Sequence, residues 1–141
     1  MIQLFTELQE KKNVRSNLSA LRASLKEATE EQKAQAIEFV RGHEDLVFGF
    51  LQEEDAKTRK NAALLLGDLA VQNALQPLWK AYTREQTLFV KSAYLEAMKA
   101  LHAEEILSQL KDRLAELEGE PVTEENRKHR EAELRALRAI L

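Results

Sequence analysis

Four basic residues recur near the start of similar segments, and they are the first candidates for chemistry. Arg15, Arg59 and Lys91 each follow a β-branched residue, and Arg130 lies in a looser copy of the same pattern. Such cations either bind the phosphates of a polyanion such as RNA or pair with acids within the protein. Asp55 lies four residues before Arg59, within reach across one helical turn, which favours internal pairing there. Both interpretations stay open for the whole set.

Two aromatic residues add to the candidates. Trp79 and Tyr82 lie three positions apart beside Leu78, so at least one of them is expected to pack between helix layers. Tyr82 is predicted to be in the core because it aligns with Leu114 of a later segment. Trp79 is either a core residue or an exposed anchor for a partner. The candidate partner-binding residues are therefore Arg15, Lys60, Lys91, Arg130 and Trp79.

The residue types needed for catalysis do not form a recognisable site. His43, His102 and His129 have no second histidine at a spacing that would hold a metal. There is no Gly-rich phosphate loop, no nucleophilic serine in a strand-to-helix elbow and no pair of isolated buried carboxylates. The many glutamates, and the basic cluster around Arg127 to Arg138, are predicted to be solvated helix faces. The sequence thus predicts no catalytic residue, no cofactor and no metal, and a chain that is not itself an enzyme.

The elements that must position these residues are helices. Only four Gly and two Pro interrupt 141 residues, and Ala, Leu, Glu, Lys, Gln and Arg dominate over β-branched residues. Apolar residues recur at the three-and-four spacing of a buried helical stripe, as in Leu18, Leu21 and Leu25. No stretch keeps the period-two alternation of a strand. The pattern predicts an all-α fold.

Internal repetition determines the predicted arrangement of these helices. Three segments align without gaps, with apolar residues four, seven and eleven positions after the first residue: Val14–Leu25, Thr58–Leu69 and Val90–Leu101. The preceding helices repeat as well, because a shift of 32 positions carries Ala74, Leu75, Leu78 and Tyr82 onto Ile106, Leu107, Leu110 and Leu114. The repetition predicts alternating outer and inner helices, with the inner helices side by side and parallel. This is a short right-handed α-solenoid of antiparallel helix pairs.

The two ends follow the repeat less closely. A fourth inner helix is predicted from His129 to Ile140, after a break at Gly119 and Pro121 and a new start capped by Thr123. Residues 27 to 42 add a helix that ends near Gly42 and falls outside the repeat. We predict a single helical-repeat domain over residues 1–141, with the best-matched repeats at 44–117 and looser caps at 1–43 and 118–141.

The repeated segments resemble HEAT-type repeats. Asp55-Ala56-Lys57-Thr58-Arg59, followed by Ala62-Ala63 and Leu66-Gly67, is similar to the inner helix of that family, and Ala74-Leu75-Gln76-Pro77-Leu78 is similar to its outer helix. The resemblance implies a scaffold or binding surface, with protein or RNA as the partner. The opening and central stretches also resemble the amino-terminal helical domain attached to certain bacterial RNA methyltransferases. That resemblance implies an alternative role as an accessory domain that helps a SAM-dependent enzyme to bind substrate RNA.

Three positions depart from the HEAT-type pattern. Thr58 replaces the usual valine, Lys91 replaces arginine, and Thr87 stands where an acid would accept a bond from that base. A continuous ladder of Asp–Arg hydrogen bonds along the stack is therefore not expected.

Composition limits the partners and the location. The formal charge of −3 gives no global attraction for nucleic acid or an anionic membrane, so a polyanion site would have to be a local patch. The absence of cysteine suits the cytoplasm, and no signal peptide or membrane span is predicted because Glu7 stands where such a leader is basic and no apolar run is long enough. The apolar pattern continues to Leu141, which predicts a truncated chain, a dimer, or further chain packing on the last helix.

Overall fold

Helices account for every regular element of the chain, as the sequence predicts. The computed structural model describes residues 1–141 and contains nine α-helices and no strand. The helices are α1 (Ile2–Gln9), α2 (Val14–Leu25), α3 (Glu30–Gly42), α4 (Glu44–Phe50), α5 (Ala56–Asp68), α6 (Leu75–Arg84), α7 (Leu88–Ala100), α8 (Leu107–Gly119) and α9 (Arg127–Ile140). The all-α prediction is confirmed.

The local structure repeats with the period found in the sequence. Helices α5 and α7 have the same length, and α7 begins and ends 32 residues after α5. Ala70 and His102, also 32 residues apart, both adopt left-handed backbone angles just after these helices, with φ of 52° and 54°. A left-handed residue at this position is a common way to end a helix. A short 3₁₀ turn then leads into α6 and α8 at matching positions, Gln72–Ala74 and Glu104–Ile106.

Four helices lie in contact in chain order: α2 packs on α5, α5 on α7, and α7 on α9. Helices α2 and α5 run in the same direction, because Arg15 meets Asp55 near their first turns and Arg22 meets Asp68 near their last. Helices α5 and α7 approach closely at Gly67, where a Cβ atom would lie 3.0 Å from the Cα of Ala97. Helices α4, α6 and α8 each pack on the helix that follows them.

One core connects the repeated segments. Leu65 and Ala97 both belong to a single cluster of 30 buried residues that extends from Leu8 to Leu137. The fifth residue of each repeated segment is the first one predicted to be buried. All four residues at this position are buried, and they are Leu18, Ala62, Tyr94 and Glu133. The last of these is an acid, so the fourth helix brings a charged group into the position that its predecessors fill with apolar or aromatic side chains.

The helix boundaries at the two ends are close to those predicted. Helix α3 ends at Gly42, and Thr29 begins it with a capping box that includes Gln32. At the other end, Thr123 exchanges hydrogen bonds with Asn126, at 2.8 and 3.2 Å, in the manner of a helix start. Regular α-helix begins only at Arg127, so the turn from Thr123 to Asn126 precedes α9 and does not belong to it. No helix combines the length and the apolar character that crossing a membrane requires.

Candidate functional site

The basic residues that open the stacked helices make contacts within the chain. The Arg59 guanidinium donates to both carboxylate oxygens of Glu85, at 2.8 and 2.9 Å. The expected pairing of Arg59 with Asp55 is wrong. Asp55 begins α5 instead, and its carboxylate accepts from the backbone N–H and the hydroxyl of Thr58 and faces Arg15 at 3.5 Å. The bond from the Thr58 side chain holds the pKa of Asp55 below its ordinary value.

The first of two buried carboxylates is Glu85, in the turn between α6 and α7. It accepts from Arg59, from the Tyr94 hydroxyl at 3.1 Å and from the Thr87 backbone N–H at 3.2 Å. Burial raises the pKa of Glu85, but the bonds from Arg59, Thr87 and Tyr94 outweigh burial, so the pKa lies below 4.5. We refer to Arg59, Glu85 and Tyr94 as the Glu85 network.

The second buried carboxylate is Glu133 of α9, whose side chain is 1% exposed. It accepts from the Tyr82 hydroxyl, from the Lys91 ammonium at 3.0 Å and from Arg113 at 3.0 Å. Burial raises the pKa of Glu133, but these three donors outweigh burial and keep the pKa below 4.5. We refer to Tyr82, Lys91, Arg113 and Glu133 as the Glu133 network. It joins α6, α7 and α8 to α9.

Both buried acids differ from the sequence-based expectation that the glutamates lie on solvated faces. The sequence does indicate burial for Glu133, because it lies four residues after His129, at the place in the repeat that faces the core. For Glu85 the spacing carries no comparable signal, since it lies in a turn between two helices. Tyr94 and Arg113, which complete the two networks, were not among the predicted site residues either.

Arg130 and Arg59 both donate hydrogen bonds to backbone carbonyls. The Arg59 guanidinium donates to the backbone carbonyls of Glu53 and Glu54, both at 2.8 Å, just after α4 ends. The Arg130 guanidinium likewise donates to the carbonyls of Leu117 and Glu118, at the end of α8. Carbonyls in the last turn of a helix lack partners within the helix, so Arg130 stabilises the end of α8. Arg59 instead fixes the turn that follows α4. In the same cluster Arg127, Lys128, Arg135 and Arg138 are exposed, as predicted.

The aromatic candidates and Lys60 occupy intermediate positions. Tyr82 is 2% exposed, which confirms its predicted place in the core. Trp79 is half-buried and stacks on the Tyr82 ring with centroids 5.5 Å apart. It packs against the core cluster from the side. Lys60 is half-buried and, unlike Arg59 beside it, is not in an ion pair.

A groove with a volume of about 730 Å³ lies alongside α6. One wall is the α6 face that carries Gln76, Lys80 and Arg84, and the other is the turn after α4 with Glu53 and Glu54. Part of the Glu85 network, Arg59 with Glu85, lines the same groove. We call this space the α6 groove. Two other grooves, beside α2 and beside the end of α3, have smaller volumes of about 290 and 590 Å³.

The α6 groove offers groups that can bind a polar or charged ligand. Its carboxylates and cations can form ion pairs, and its amides can donate and accept hydrogen bonds. No group of three acidic or histidine side chains stands close enough together to hold a metal ion.

Comparisons of the chain with known protein families, with curated proteins and with solved structures found no match.

Proposed function

We propose that this chain is a non-catalytic helical-repeat module that binds or positions a macromolecular partner. The observation that carries the proposal is the stack of α2, α5, α7 and α9, with a 32-residue repetition in its central part. Stacked repeats of this kind contact their neighbours on two sides and leave an elongated surface for a large partner. We propose a right-handed solenoid of antiparallel pairs, in which α4, α6 and α8 are the outer helices.

The contacts of the basic residues favour a protein partner over RNA. An RNA-binding strip built on Arg15, Lys60 and Lys91 would need their charges free for phosphates. The Lys91 side chain is 12% exposed and its ammonium is paired with Glu133, while Arg15 faces Asp55. Only Lys60 of the three has no ion pair, and one cation gives weak binding to a polyanion. We place the module in the cytoplasm, in keeping with the absence of cysteine.

The proposal is tested by measuring both kinds of partner on the whole chain. Immobilised protein is incubated with extract, retained proteins are identified by mass spectrometry, and each is purified and titrated against the chain by calorimetry. In parallel, fluorescence anisotropy measures binding of single-stranded and duplex RNA at low and high salt. We expect a purified protein that binds with defined stoichiometry, and RNA binding that is weak and lost as salt rises.

Two outcomes would contradict this. If no purified protein and no RNA binds, the module has no macromolecular partner of the proposed kind. If RNA binds tightly and replacing both Arg15 and Lys60 by glutamine abolishes that binding, the role as an RNA-binding accessory domain takes its place. Lys91 is left intact in this test because its substitution would disturb the Glu133 network and confuse binding with folding.

A further inference from the structure

We propose that the α6 groove holds an extended protein segment that places an acidic side chain against Lys80 and Arg84. This inference rests on the proposed partner-binding function and names the site and the chemistry of the ligand.

The α6 wall offers two free cations. Gln76, Lys80 and Arg84 follow one another at intervals of four residues, so they lie on one face of α6. The Lys80 and Arg84 side chains are exposed and are in no ion pair, in contrast to Arg59, which also lines the groove. From Gln76 to Arg84 the helix rises by about 12 Å, which matches roughly four residues of an extended chain.

The opposite wall is acidic and is held in place. Glu53 and Glu54 are exposed and line the groove, and their backbone carbonyls both accept from the Arg59 guanidinium at 2.8 Å. Arg59 is itself fixed by its two bonds to Glu85. The turn that carries the acids is thus ordered before a ligand arrives, which reduces the entropy lost on binding.

The groove also suits a peptide backbone. Gln52, Gln76 and Gln86 line it, and each primary amide both donates and accepts hydrogen bonds. An extended chain presents backbone N–H and C=O groups in alternation, so it needs partners of both kinds. Phosphates need only donors. Phe48 and Ala81 add apolar surface against which the ligand's side chains can pack.

The charges in the groove argue against a nucleic acid. Glu53, Glu54 and Glu85 lie with Lys80 and Arg84 in the same groove, so a phosphate chain would meet repulsion along one side. A protein segment can place an acid toward α6 and a base or a neutral residue toward the turn after α4. Complementarity of this kind favours a segment of mixed charge.

The test uses a phage-displayed library of linear peptides of about a dozen residues, long enough to exceed the length of the groove. Peptides are selected on the wild-type chain and counter-selected on the double variant Lys80→Glu/Arg84→Glu. Selected peptides are then made synthetically with a fluorescent label, and their affinities are measured by anisotropy. We expect enrichment of Asp or Glu, and binding at least about tenfold weaker to the double variant.

A matched control makes the same change of charge elsewhere. Lys111→Glu/Arg135→Glu alters two exposed bases of α8 and α9 that do not line the groove. This control should bind the selected peptides as the wild type does, and both double variants should keep the wild-type melting temperature. Peptides in which the acids are replaced by lysine should recover affinity for Lys80→Glu/Arg84→Glu.

Four results would overturn the inference. No enrichment over the counter-selection, or equal binding to both double variants, would show that the groove does not take such a segment. If a single-stranded RNA probe competes with the peptide, and if its binding is lost in Lys80→Glu/Arg84→Glu, the groove would be assigned to a polyanion. If a purified protein partner bound the groove variant as tightly as the wild type, partner binding would stand and only its location would change.

Discussion

In the Glu85 network and in the Glu133 network, a base near the start of a stacked helix pairs with a buried carboxylate. The two carboxylates come from different parts of the chain. Arg59 and Lys91 are equivalent bases, 32 residues apart, near the starts of α5 and α7. Arg59 finds its acid in the turn directly before α7. Lys91 finds its acid in α9, 42 residues further along the chain.

The difference follows from what the next repeat supplies. A shift of 32 positions from Glu85 leads to Leu117, which offers Lys91 no carboxylate. Glu133 of α9 supplies the carboxylate instead. Its place in the repeated pattern is the one that Tyr94 occupies in α7. The two networks show that the position of a base can repeat along a chain while the acid that pairs with it comes from a different element. The Glu133 network is also more buried, because the Glu133 side chain is 1% exposed and the Glu85 side chain is 5% exposed.

Loss of the deeper acid should have the largest effect. Glu133→Ala leaves Lys91 and Arg113 without their common partner in a site where their side chains are 12% and 24% exposed. Breaking a buried ion pair by removing one partner typically costs about 3–5 kcal/mol. We expect a loss of this size in urea unfolding followed by circular dichroism. Glu131→Ala, on the exposed face of α9, is the control and should leave the midpoint unchanged. Equal midpoints for the two variants would contradict the proposed weight of the Glu133 network.

A smaller loss is expected for the acid of the other network. In Glu85→Ala the Arg59 guanidinium keeps its bonds to the Glu53 and Glu54 carbonyls, so its charge remains partly satisfied. We expect a loss of about 1.5–3 kcal/mol, as for hydrogen bonds to charged groups. Glu96→Ala, at an exposed position of α7, is the matched control. If Glu85→Ala destabilised the chain more than Glu133→Ala, burial would not determine which network contributes more to stability.

Acid should weaken both networks gradually. The pKa values of Glu85 and Glu133 are lowered in the folded chain below 4.5, their ordinary value. Their contribution to stability is therefore complete above about pH 4.5 and is lost as the pH falls through the folded pKa values. For each carboxylate the loss is at most about 1.4 kcal/mol per pH unit. Urea midpoints measured from neutral pH downward test this.

The control for the acid experiment is Glu133→Gln, which cannot titrate at that position. Its midpoint should depend less steeply on pH than that of the wild type. If Glu133→Gln is too unstable to measure, Glu85→Gln provides the same comparison for the other network. A wild-type slope that is unaffected by either substitution would mean that other acids dominate the acid response.

The smallest effect is expected at the surface pair of α2 and α5. The Arg15 and Asp55 side chains are 52% and 46% exposed, and their atoms are 3.5 Å apart. Water and salt screen such a pair, so Arg15→Gln should leave the urea midpoint unchanged within error. A clear loss that persists at high salt would show that Arg15 holds α2 against α5 by more than this contact.

Much of the fold could be predicted from the sequence because it depends on local periodicity. The spacing of Leu18, Leu21 and Leu25 predicts a buried helical face, and all three residues are buried. The 32-residue repetition predicted which helices are equivalent, and α5 and α7 have matching bounds. Gly42 was predicted to end a helix and does so. Such features are set by backbone geometry and by neighbours within a few turns.

The candidate site depended far more on distant contacts. Sequence spacing suggested Asp55 as the partner of Arg59, since it lies one turn away, but the α5 start uses the Asp55 carboxylate as its own cap. The partner is Glu85, 26 residues along the chain. No periodicity connects such positions, because the order in which helices pack decides which side chains meet.

The sequence by itself determined that the chain is helical, which faces are apolar and which bases recur. The tertiary structure alone decided which of those bases are neutralised, because ion pairs such as Lys91–Glu133 form between helices that are far apart in the chain. It also decided where a ligand could bind, since Lys80 and Arg84 line one groove with Glu53 and Glu54 only after the helices have packed. The physical reason is that helix formation is governed by neighbours along the chain, whereas desolvation and pairing of charges depend on what the packed helices bring together.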